Sequence, residues 1–142
     1  MGKRFGLIRE HFFLGLCIPD DHDLFIAMET HSQTLVDTVD GVRRMIDACG
    51  PRLKVNLQID DIAELSKLPD AAAVYKALKD HVVHFHLQPH GMAEWRQMYS
   101  ELFAAMNADD CPAFICWEEC SGESDPSQSA RNGLKLMGEL GV

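Results

Sequence analysis

Leu53-Lys54-Val55-Asn56-Leu57-Gln58-Ile59-Asp60 alternates apolar and polar side chains and ends in a carboxylate. In an extended chain successive side chains point to opposite faces, so Leu53, Val55, Leu57 and Ile59 share one face. Lys54, Asn56, Gln58 and Asp60 share the other. Three more short apolar runs end in a side chain of the same chemical kind. Leu24-Phe25-Ile26-Ala27-Met28 precedes Glu29, Val82-Val83-His84-Phe85 precedes His86, and Ala113-Phe114-Ile115-Cys116-Trp117 precedes Glu118. Glu29 to Asp60 is 31 residues, Asp60 to His86 is 26, and His86 to Glu118 is 32. That rhythm matches one strand plus one helix, a parallel crossover unit of roughly 30 residues.

The intervening segments have helical spacing. Leu35, Val39, Val42, Ile46 and Cys49 recur at 4, 3, 4 and 3 residues, and Gly50-Pro51 ends that helix. The hydroxyls of the polar junction Thr30 to Ser32 are the expected caps at its start. A short helix is expected over 61–67, and Pro69-Asp70 opens another through Val74, Tyr75 and Leu78. Trp95, Met98, Tyr99, Leu102, Phe103 and Met106 give a third face within 93–107. The last helix is predicted over 127–140, with Leu134 and Met137 inward. Predicted strands cover 24–29, 53–60, 81–86 and 113–118.

The order is therefore β-α repeated four times, an α/β chain whose parallel sheet is covered by helices. Four units are half of an eight-unit barrel, which needs about 250 residues. The expected organisation is one domain over 1–142, with 24–142 as the half barrel. Residues 1–23 form a poorly defined segment without a clear period. One face of each barrel strand meets the helices and the other the interior. Asn56, Gln58 and Asp60 should then point inward.

Composition narrows the function. With 13 Lys and Arg against 22 Asp and Glu, the net charge is −9, which repels phosphate backbones and argues against nucleic-acid binding. No apolar run approaches the roughly 20 residues that span a bilayer, so no membrane association is expected. Arg9 and Glu10 interrupt the N-terminus before a signal-peptide core can form, and the expected location is cytoplasmic. Five cysteines without a CxxC pair do not read as a zinc ribbon or a disulfide framework. Cys116, inside a predicted strand, reads as a small buried apolar residue.

The strand ends carry the chemistry. Glu29 and Glu118 share the inward parity. Two carboxylates on a divalent cation can move a proton next to a carbonyl: the cation polarises the carbonyl oxygen, one carboxylate takes the carbon-bound proton and the other returns it. A single Glu at a strand end more often caps a helix or pairs with Lys. The recurrence of the set is what points to a site. His86 offers a neutral imidazole ligand. His84 has the same parity one layer deeper, and ligation and a hydrogen-bonded core role are equally open for it. Asp60 is the natural third ligand, and the Gln58 amide oxygen can also bind a hard cation. His31, two residues past Glu29 on the rim, is within reach of a substrate or is an exposed loop histidine. Trp117 reads as packing against helices.

Glu29-Thr30-His31-Ser32, Cys49-Gly50-Pro51-Arg52-Leu53-Lys54-Val55-Asn56-Leu57, His84-Phe85-His86-Leu87 and Trp117-Glu118 together resemble the xylose-isomerase-like TIM-barrel superfamily. Its sugar phosphate isomerase/epimerase group has the most similar pattern. The resemblance covers about residues 24–140 and implies the last four units of that barrel. It further implies one divalent metal (Mn, Mg, Co or Zn) on Glu29, Asp60, His86 and Glu118. Glu29 and Glu118 would be the acid/base pair, and a small carbohydrate the substrate, with His31, Gln58 and His84 near it. The chain departs from the family pattern in two places. Ala63 stands where many members carry a His three residues after the Asp, and Gln88-Pro89 replaces a Lys-Asp pair. An alignment shifted by two instead puts Gln58 at the Asp position and Asp61 at the His position.

Four units leave two strand edges and an apolar interior to cover. The expectation is a truncated barrel, completed or covered by a second copy in a homo-oligomer. The competing expectation is a non-catalytic remnant or interaction module of the same fold. An AP-endonuclease-like activity is disfavoured by the acidic charge.

Overall fold

A computed structural model describes residues 25–59, 61–62, 70–87, 95–118 and 125–141. The N-terminal segment, Asp60 and most of the expected helix at 61–67 lie outside the described residues. Strands β1 (Ile26–Glu29), β2 (Leu53–Gln58), β3 (Val82–Leu87) and β4 (Phe114–Trp117) alternate with helices α1 (Val39–Cys49), α2 (Ala71–Leu78), α3 (Trp95–Ala108) and α4 (Pro126–Glu139). All pairings are parallel, and the sheet order is β1-β2-β3-β4. Parallel crossovers are right-handed, so strands that follow chain order carry every helix on one face. This is the winding of a barrel wall, whereas a doubly wound sheet reverses its order and carries helices on both faces.

The core lies between sheet and helices. Met28, Leu53, Val55, Leu57, Phe85 and Leu87 are buried on the helix side of the sheet. Tyr75 of α2 meets Phe85 at a ring separation of 6.1 Å, and Tyr99 stacks on Phe103 within α3. Ile115 and Trp117 of β4 pack against this core, as expected for Trp117. Residues of the opposite parity, Ala27, Glu29, Phe114 and Cys116, are exposed on the inner face. Cys116 is thus in a strand as expected but not buried, because it shares the parity of Glu118 and not that of Trp117.

Two helix expectations are corrected. α1 begins at Val39, not after Thr30 to Ser32. Its cap is Thr38, whose Oγ1 accepts from the Gly41 N–H at 3.1 Å. Thr30 is buried in the sheet region, and Gln33 adopts a left-handed φ of 61°, which interrupts a helix. Residues 31–38 turn instead, with Thr34 Oγ1 donating to the His31 carbonyl at 2.6 Å. In α4, Leu134 is 67% exposed and Leu136 is buried. The Trp117 indole lies against Gly133, which turns Ser129, Gly133 and Leu136 inward and leaves Leu134 outside. Met137 joins the core as expected. Asp70 and Asp125 cap α2 and α4, with Pro126 in the first turn.

The β2–β3 ladder is irregular. Val55 pairs with Val82, but Asn56 pairs with His84. The extra residue, Val83, is a bulge in β3. It brings Asn56 and His84, both inward, to the same level.

Candidate functional site

Glu29, His86 and Glu118 converge at the C-terminal ends of β1, β3 and β4. Each offers a ligand atom, and these atoms lie within 4.8 Å of one another. His86 Nδ1 is 2.6 Å from Glu29 Oε1 and 3.6 Å from Glu118 Oε2. Glu118 continues the ladder past β4, its N–H donating to the Leu87 carbonyl at 3.0 Å. Glu29 is held on the other side by β2: the next residue, Thr30, donates its N–H to the Asn56 carbonyl at 3.0 Å. Two carboxylates this close repel by about 1–4 kcal/mol, depending on the local dielectric. A cation or a charged imidazole between them removes that cost. Two carboxylate oxygens and one imidazole nitrogen suit a hard or borderline divalent ion.

Asn56 links the two histidines of β3. Its Oδ1 accepts from His84 Nδ1 at 2.8 Å, and its Nδ2 is 3.2 Å and 3.3 Å from the ring nitrogens of His86. The His84 and His86 rings stand edge to face, with centroids 5.0 Å apart. Burial pushes the His84 pKa down, the nearby His86 adds to this, and the Glu29 carboxylate opposes it. His84 is therefore neutral near pH 7.

Gln58 faces His86 in the β2–β3 register and is only 1% exposed. The Gln58 backbone is clamped by Thr30, whose Oγ1 accepts from the Gln58 N–H at 2.8 Å and donates to its carbonyl at 3.4 Å. On the rim, Asp61 Oδ2 accepts from the Ser32 N–H at 3.2 Å and lies 3.7 Å from His31 Nδ1. The His31 pKa is raised, first by its hydrogen bond to the Ser32 carbonyl and then by Asp61 and the two glutamates. His31 is exposed and occupies the mouth of the site.

Of the residues singled out from sequence, Glu29, His86 and Glu118 come together, with His84 and Gln58 beside His86 and His31 on the rim. Asp60 lies outside the described residues. The sequence alone gives Asn56 and Asp61 no firm role. The inward parity of Asn56 was legible, but its contact with both histidines depends on the bulge.

No family model and no curated protein matches the sequence. Solved structures do. A 3-keto-D-glucoside 4-epimerase from E. coli, in its apo form, superposes with a TM-score of 0.64 at 17% identity, over 80% of this chain and 46% of that one. A probable 3-DHS dehydratase of petrobactin synthesis from Bacillus anthracis gives 0.64 at 18% identity, over 94% and 55%. An L-ribulose 3-epimerase gives 0.55 at 12% identity, over 77% and 39%. This chain spans about half the length of these structures. Its four parallel β/α units thus have the fold of part of a (β/α)8 barrel, the fold class expected from the sequence.

Proposed function

We propose that the chain carries the metal-binding half of a sugar or sugar phosphate isomerase/epimerase-like site. The observation that carries this reading is the convergence of Glu29, His86 and Glu118 from three strands within 4.8 Å. One divalent cation of the Mn, Mg, Co or Zn class fits this donor set, with Asp60 as a further ligand and the Gln58 amide oxygen as the other candidate for that place. Such a cation polarises a carbonyl oxygen and lowers the cost of the charge that develops beside it. Glu29 and Glu118 are the acid/base pair, one taking the carbon-bound proton and the other returning it. His31 at the mouth, and Gln58 and His84 within, would contact or orient a small carbohydrate. The likeness to two epimerases and a dehydratase supports this reading by fold alone.

The inner face belongs to the same reading. Phe114 is 76% exposed on it, and Phe25, just before β1, is 53% exposed. A second copy of the chain, covering that face, would bury both rings and add contacts to a substrate. Among the described residues no helix is long and apolar enough to cross a membrane, and a cytoplasmic location is part of the proposal.

The test combines manganese titration with proton exchange. A ketose in D2O should acquire deuterium next to its carbonyl only when protein and metal are both present. Glu118→Gln should abolish both exchange and tight binding. Failure of the wild-type chain to bind metal or exchange protons would leave the non-catalytic reading in its place. Sedimentation would show whether the inner face is covered by a second copy.

A further inference from the structure

Below the carboxylates, a second donor set surrounds the same imidazole. His84, His86 and Cys116 each offer a ligand atom, all within 4.8 Å of one another. His84 and His86 stand two residues apart on the inner face of β3, and Cys116 pairs with His86 across the β3–β4 register. The His84 Nδ1–H donates to Asn56 Oδ1 at 2.8 Å, which leaves its Nε2 lone pair for a ligand. A metal-binding imidazole is ordinarily supported in this way through its other nitrogen. Zinc bound at about 2.0–2.1 Å by nitrogen and about 2.3 Å by sulfur requires donors roughly 3.3–3.7 Å apart. The donors, within 4.8 Å of one another, would turn toward a common centre to reach that spacing.

We propose that His84, His86 and Cys116 form a site for a borderline-soft divalent cation of the zinc class, exclusive with the carboxylate site. Two imidazoles and a thiolate favour zinc or cobalt, whereas two carboxylates and one imidazole favour magnesium or manganese. On binding, the Cys116 thiol releases its proton to solvent and the sulfur–metal bond forms, with no change of oxidation state. A neutral imidazole has one lone pair to give. His86 can therefore serve only one of the two sets, and zinc in the deeper set withdraws it from Glu29 and Glu118. The inference goes beyond the proposed function and shares only His86 with it.

Cobalt(II) alone is the probe, added to the full chain under reducing conditions. One equivalent should produce a near-ultraviolet thiolate-to-cobalt absorption. Cys116→Ser should abolish it, while Cys120→Ser and Glu118→Gln keep it. Cys116→Ser should weaken zinc binding by more than the roughly 10–100-fold cost of losing an outer-shell partner, and leave manganese binding unchanged. On the unmodified chain, zinc should protect Cys116 from alkylation, read by peptide mass, which tests the site even if the variant fails to fold. Absence of the absorption, its survival in Cys116→Ser, or alkylation of Cys116 undiminished by zinc overturns the proposal. Manganese binding that survives Glu118→Gln counts against the carboxylate site alone.

Discussion

His86 Nδ1 stands 2.6 Å from Glu29 Oε1, although the residues are 57 apart in the chain and β2 runs between their strands. The contact passes over Asn56, whose amide reaches the His86 ring from the middle strand. Two neighbouring strands, β1 and β2, therefore act on one imidazole of β3. Glu29→Gln keeps the shape of the side chain and removes its charge. Manganese affinity, measured by calorimetry, should fall by at least about tenfold with an unchanged circular dichroism spectrum. Equal affinity would remove Glu29 from the ligand set.

Asn56 holds His84 and His86 in place. Asn56→Ala leaves the half-buried His84 N–H without its acceptor, at a cost of about 1–3 kcal/mol in urea unfolding. The imidazole nitrogen resonances of both histidines should shift in the same variant. Shifts confined to backbone amides near residue 56 would argue that the amide supports the sheet and not the site.

Gly133 and Gly138 sit on one helix and should respond in opposite directions. A Cβ on Gly133 would lie 2.5 Å from the Trp117 indole, a clash with a ring that packs against the core. Gly133→Ala should destabilise by about 1–3 kcal/mol and change the tryptophan fluorescence. A Cβ on Gly138 meets nothing within 4 Å. Gly138→Ala should stabilise by about 0.4–1 kcal/mol through the unfolded chain.

The cap of α1 gives a local test of where that helix begins. Thr38→Ala removes the side-chain acceptor for the Gly41 N–H and should cost about 1 kcal/mol in thermal or urea unfolding. A negligible loss would place the helix start elsewhere.

Lys79 donates to the Asp109 carboxylate at 3.0 Å, and this contact holds the Asp109 carboxyl below its ordinary value of 3.8. The folded state thus binds a proton here less readily than the unfolded chain. The resulting stability is present above the unfolded value and is lost as pH falls through the folded one. Asp109→Asn should flatten that part of the acid limb, with little change near pH 7 because the pair is exposed. Urea midpoints at stepped pH for both proteins measure the difference.

Much of this arrangement is readable along the chain. The period-two pattern of Leu53 to Asp60 assigns Asn56 and Gln58 to one face, and the spacing from Glu29 to Asp60, His86 and Glu118 implies strand-plus-helix units. Both are local properties: a strand or helix period states which side chains share a face whatever that face later meets. The sheet then places Glu29, His86 and Glu118 at one end because parallel crossovers return every strand in the same direction.

Tertiary structure alone decided the remainder. The bulge at Val83 sets Asn56 beside His84, and the packing of Trp117 on Gly133 turns Leu134 outward. The left-handed Gln33 delays α1 to Thr38, and Asp61 caps the Ser32 N–H on the rim. The β3–β4 register sets Cys116 beside His86, a pairing that its inward parity alone does not fix. Apart from the local turn at Gln33, each of these depends on an offset between segments 20 or more residues apart or on the fit of one side chain against another, and no repeat within a single segment encodes such an offset.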